Sequence, residues 1–106
     1  PQESGTKGDI RWWKQTDAAG FGFMVKNCKP FYASALHFDT EELDDGDEKD
    51  QRHSFNLKKS KYTNLFLDGE HMGVGGENSW GAWPLEKYRI HYGDKTFSFT
   101  IIPLNK

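Results

Sequence analysis

Trp80 and Trp83 stand three residues apart in a stretch, Gly69 to Pro84, that holds five glycines and almost nothing able to sustain a helix or strand. Two large flat side chains on such a support are suited to binding, because loops carried by a rigid scaffold are where binding groups concentrate. Gly73, Gly75 and Gly76 free the backbone to turn sharply or to pass close to another segment. This loop is the functional candidate, and the rest of the chain is expected to be its scaffold.

Other chemistries find less support in the residue pattern. A dinucleotide fingerprint needs a third glycine or alanine where Asn78 stands, and the helix that should follow is blocked by Trp83-Pro84. A phosphate loop would end in Gly-Lys-Ser/Thr, which is absent. His37, His53, His71 and His91 show no short ligand spacing, so no metal site is expected. Glu3, Glu70, Glu77 and Glu86 offer carboxylates, yet no spacing selects a pair for acid and base work. There is no Gly-x-Ser-x-Gly nucleophile elbow, and no catalytic residue is assigned. The run from Asp44 to Arg52 does not match the ligand spacing of a twelve-residue calcium loop and reads as a solvated loop.

A chain of 106 residues accommodates one domain with a modest core. Fourteen basic against sixteen acidic residues give a net charge of −2, so no basic field exists to collect phosphates, and nucleic acid is not an expected partner. Cys28 has no second cysteine to pair with and is expected to be a small buried apolar residue. The sequence contains no run of about 18 apolar residues, so neither a membrane span nor a membrane partner is expected. No signal peptide is recognised either, and the expected location is cytoplasmic, with a periplasmic one left open because a targeting signal would lie outside this chain.

The elements that must position the loop read as strands. Asp9 to Gln15 carries Ile10, Trp12 and Trp13 among charges, and Thr16 to Gly20 follows with turn chemistry. Phe21, Phe23 and Val25 alternate with Gly22, Met24 and Lys26, which predicts a strand with an aromatic face. Asn27 to Pro30 is expected to be a hairpin loop, and Phe31 to Phe38 a central strand covered on both sides. Asp39 or Thr40 is placed to cap a short helix with Glu41 and Glu42 in its first turn. Tyr62 to Met72 predicts the strand that delivers the glycine loop, with Leu65 and Leu67 inward and Asn64 and Asp68 outward. Beyond the loop, Tyr88 to Tyr92 and Phe97 to Ile102 alternate as two further strands around Gly93-Asp94. Six strands and one helical turn predict an all-β fold, an antiparallel β-sandwich or part of one.

Two separated stretches carry a family resemblance. Pro1-Gln2-Glu3-Ser4-Gly5, continuing to Asp9-Ile10-Arg11-Trp12, resembles the Pro-Gln-Glu-Asn-Gly signature near the end of the large bacterial β-galactosidases of glycoside hydrolase family 2. His71 to Trp80 resembles their second signature, His/Gln-Met-Gly-Ile/Val-Gly-Gly-Asp-Asp-Ser-Trp. Order and spacing agree, and the departures are Ser4, Glu77 and Asn78, the last of which removes a formal charge. The resemblance implies that residues 1–106 are a single-domain fragment, the C-terminal part of the fifth or small-chain domain, in a sandwich similar to the galactose mutarotase fold.

It also implies what the chain lacks. The two catalytic glutamates and the magnesium ligands of the family come from a central (β/α)₈ barrel, which needs about 250 residues. Magnesium and sodium would then belong to the parent enzyme, with no cofactor in this chain. The implied contribution of this region is a loop whose tryptophan, Trp80 here, stacks against the sugar, with Ser79, Asn78 and His71 as accompanying substrate-binding residues. Trp83 is expected to be an ordinary core aromatic. The implied function is the C-terminal portion of a retaining β-galactosidase acting on terminal β-D-galactosides such as lactose, partnered by the barrel. The alternative is an independent carbohydrate-binding module. A piece of a larger sandwich should also expose an apolar face and self-associate.

Overall fold

Asp17 closes the first hairpin. Its carboxylate accepts the backbone N–H groups of Ala19 at 2.9 Å and Phe21 at 3.0 Å, and Gly20 takes a φ of 93° that a side chain would resist. The strands so joined, β1 (Lys7–Thr16) and β2 (Phe21–Leu36), pair antiparallel. Gly22 is required beside the turn, because a Cβ there would sit 2.0 Å from the Gln15 carbonyl oxygen. The computed structural model describes residues 5–44, 46–47, 53–73 and 81–105.

The sixteen residues of β2 organise the sheet. β1 lies along one edge of it. Along the other edge, β3 (Asn64–Asp68) pairs with Tyr32–Leu36, and β4 (Thr100–Asn105) pairs with Phe21–Lys26, both antiparallel. A short helix α1 (Thr40–Leu43) follows β2, with Asp39 at its N-cap position, and 3₁₀ turns occupy Ser54–Asn56 and Glu86–Tyr88. The architecture is therefore all-β and antiparallel, of the sandwich type, with the described strands supplying one four-stranded layer.

Val25, Phe31 and Ala33 are fully buried on one face of β2, with Ile10, Trp13, Phe23 and Leu67 packed around them. The expectation of a central strand holds, as does the inward placement of Leu67. Phe31 and Val25 meet in this cluster from either side of the break in the β1–β2 ladder.

Several expectations are corrected. Asn27 to Pro30 is no hairpin loop. Ile10 pairs with Phe31 and Trp12 with Lys26, so the extra residues of β2 bulge out opposite Arg11 without ending the strand. Pro30, which lacks an N–H, is tolerated at such a break. On the other strand, Asp9 adopts φ 53° where the register shifts between Lys7 and Ile10. Cys28 is exposed on this bulge, not buried.

The two expected C-terminal strands also differ from what is seen. Tyr88 belongs to a 3₁₀ turn, Ile90 and Tyr92 lie outside any strand, and β4 begins at Thr100, not Phe97. Its start is set by the partner: Thr100 faces Lys26, the last β2 residue before the bulge, so residues 97–99 have no ladder to join. Four strands, not six, are present among the described residues.

Candidate functional site

The glycine loop leaves the sheet at the end of β3, and the described residues on either side of it are drawn together. The backbone N–H of Gly73 donates to the Tyr88 carbonyl at 2.7 Å. A Cβ at Gly73 would lie 2.6 Å from Tyr88 Cβ and 3.2 Å from Pro84 Cβ, so this glycine permits a close approach that alanine would not. Gly73→Ala is therefore expected to cost about 1–3 kcal/mol of stability, the usual scale of overpacking. Thermal denaturation checks it, and an unchanged midpoint would mean that the Gly73–Tyr88 approach contributes nothing.

Beyond the loop, Arg89 ties its own segment into one unit. Its Nε donates to the Pro84 carbonyl at 2.7 Å and its Nη1 to Glu86 Oε2 at 2.9 Å. The guanidinium carbon lies 5.4 Å from the centroid of the Trp83 ring, a cation–π stack. Glu86 Oε1 in turn meets His91 Nε2 at 3.0 Å. The 3₁₀ turn at Glu86–Tyr88 makes this geometry, bringing Glu86 and Arg89 onto one side. Trp83 is 68% exposed, which corrects the expectation that it is a core aromatic.

A second tie holds the start of the loop against the segment before β4. Phe97 packs over Gly69, and Lys95 Nζ pairs with Glu70 Oε2 at 3.0 Å. His71, a predicted binding residue, is exposed, with its ring 5.3 Å from that of Tyr32 and tilted by 49°. The other predicted binding residues, Asn78, Ser79 and Trp80, lie outside the described residues, as do Glu3 and Glu77. The structure thus places His71 at the approach to the loop and brings together Glu86, Arg89, His91 and Trp83, a grouping the sequence reading missed. The three-residue spacing of Glu86 and Arg89 was the available signal.

Two open clefts are also present. One, of about 490 Å³, lies between the β2 bulge at Cys28–Pro30 and Lys95–Ser98. The other, of about 340 Å³, lies on the sheet face opposite the core, where Ser34, Leu36 and Phe66 form a floor beside α1. Among the described residues no three His, Cys, Asp or Glu side chains converge as a metal site.

Comparison with known proteins agrees with both signature stretches. The family described as β-galactosidase small chain matches residues 1–101. A β-galactosidase of Priestia megaterium is 33% identical over 106 residues, covering 98% of this chain and 10% of the relative. The β-galactosidase BgaC of Bifidobacterium adolescentis is 36% identical over 93 residues, 85% of this chain and 8% of its own. A β-galactosidase of Streptococcus thermophilus is 34% identical over 108 residues, 99% of this chain and 10% of its own. The chain thus spans about a tenth of the length of these curated relatives. No solved structure matches it. With a family match running through both signatures and nearly the whole sequence, the chain belongs to the β-galactosidase small chain family.

Proposed function

We propose that this chain is the substrate-side portion of a retaining β-galactosidase, docked on a catalytic barrel and lending its glycine loop to the active site. The observation that carries this is surface. Phe21, Ile101, Phe99 and Trp12 are among the apolar side chains left open, and only three hydrophobic residues are buried among those described. A sheet with so small a core gains by being covered, and a larger enzyme would supply the cover. The same surface favours self-association when the chain is alone.

In this reading Trp80 stacks on the galactosyl ring. The C–H face of a pyranose is apolar, and an indole offers contact area with few rotamers to lose. His71, Asn78 and Ser79 supply polar groups around it, while the nucleophile, the acid/base and the magnesium and sodium ions belong to the barrel. No step is assigned to a metal on this chain. Trp80→Ala in the full-length enzyme is expected to weaken galactoside binding by about 1–3 kcal/mol while leaving the thermal midpoint in place. Normal binding with a lowered midpoint would make Trp80 a core residue and defeat the reading. The exposed Trp83 and Trp12 would also suit an independent carbohydrate-binding module. In that case the chain alone should retain galactoside affinity and show no affinity for a barrel domain.

A further inference from the structure

Residues 81–99 lie outside every strand, so no ladder holds the chain where it returns from the glycine loop. The outgoing stem is better anchored. Gly69 and Glu70 continue directly from β3, with Phe97 packed over Gly69 and Lys95 Nζ meeting Glu70 Oε1 at 3.2 Å and Oε2 at 3.0 Å. The returning stem depends on a side chain instead. Arg89 Nε donates to the Pro84 carbonyl at 2.7 Å, and its Nη1 donates to Glu86 at 2.9 Å. The same short unit touches the outgoing stem: the Tyr88 carbonyl accepts the Gly73 N–H at 2.7 Å, and Pro84 Cβ lies 3.2 Å from where a Cβ on Gly73 would stand. The two ends of the loop are therefore in contact, as in an Ω-loop.

Pro84 and Tyr88 are the two points at which this unit meets Gly73, and Arg89 ties one to the other. The 3₁₀ turn fixes Leu85 to Arg89 by its backbone bonds, Tyr88 N–H to the Leu85 carbonyl at 2.8 Å and Arg89 N–H to the Glu86 carbonyl at 3.1 Å. It reaches no farther toward the loop, so Pro84 is held through its carbonyl. The Arg89 side chain is 35% exposed, which shields that charge-assisted bond from competing water. We propose that Arg89 is a positioning residue for substrate binding: by pinning the Pro84 carbonyl it fixes the spacing of the two stems, and with it the orientation in which the loop meets the active site. This rests on reading the glycine loop as a contributor to that site, whichever of its residues touches the sugar. Without the pin the stems sample several spacings, only a fraction of the molecules is competent to bind, and apparent affinity falls by that fraction.

The test is made in the full-length enzyme with lactose. Arg89→Met, which keeps the apolar stem and removes every donor, is expected to raise KM about tenfold and to leave kcat within about twofold, the pattern of lost uniform binding. Arg89→Lys, which restores one donor, should bring KM back to within about threefold of the unsubstituted enzyme. Backbone amide exchange in Arg89→Met should quicken at residues 71–73 and 81–85 and stay unchanged in β2. The thermal midpoint should stay in place, because the stems open well below global unfolding. Where Trp80→Ala by itself weakens binding, adding Arg89→Met to it should raise KM by less than about twofold more, since both act through one loop. If Trp80→Ala alone changes nothing, the role of Trp80 falls, and Arg89 is decided by KM and amide exchange. An unchanged KM in Arg89→Met, a raised KM without faster exchange at the stems, a midpoint that falls in step with affinity, or full additivity with an effective Trp80→Ala would overturn the proposal. Should Arg89→Met fail to fold, Arg89→Lys is read by the same measures, with a threefold rise in KM and faster stem exchange expected.

Discussion

Phe31→Ala is expected to destabilise the chain by about 3–5 kcal/mol, enough to abolish a folded population in a small domain. Phe31 is fully buried, pairs in register with Ile10, and is the largest side chain in a core that otherwise holds Val25 and Ala33 with Ile10, Trp13, Phe23 and Leu67 against it. Its removal leaves a cavity at the junction of β1, β2 and β3, the place where the β2 bulge already interrupts the ladder. Partial collapse there would need the sheet to shift register, which the turn at Asp17 prevents. Urea denaturation of the variant beside Tyr92→Ala, a fully exposed position, provides the comparison. The expected result is a lost transition for Phe31→Ala and an unchanged one for Tyr92→Ala. A cost below about 1 kcal/mol at Phe31 would show that this cluster does not hold the sheet.

Hydrolysis of any β-galactoside by the chain alone is expected to be absent. The curated relatives are about ten times its length, and a (β/α)₈ barrel needs about 250 residues that this chain does not contain. Among the described carboxylates, Glu70 is engaged by Lys95, and Glu86 by Arg89 and His91. The measurement is turnover of an aryl β-galactoside by the purified chain, with contaminating host enzyme removed. Turnover above background would place a catalytic pair on this chain and overturn the division of labour proposed above.

The antiparallel all-β character, the Asp17 turn, the alternation of Phe21, Phe23 and Val25, and the helix start at Asp39–Thr40 were legible in the sequence because each depends on residues within a few positions of one another. The two signature stretches, and with them the family, were legible for the same reason. Local pattern could not place residues whose environment is set across strands. Ile10 and Trp12 alternate as though they shared a face, yet the irregularities in β1 put Ile10 and Trp13 on the core and leave Trp12 exposed. Asn27 to Pro30 has turn composition, yet β1, continuing past it, holds β2 in one piece. Tyr88 to Tyr92 alternates like a strand, but alternation makes a strand only where a neighbour offers open ladder positions, and here the chain forms a 3₁₀ turn and carries its apolar side chains into solvent. The candidate site divides in the same way. Trp80 and His71 were named from a contiguous motif, whereas the Trp83–Arg89–Glu86–His91 unit exists only because that 3₁₀ turn folds four separate side chains onto one another.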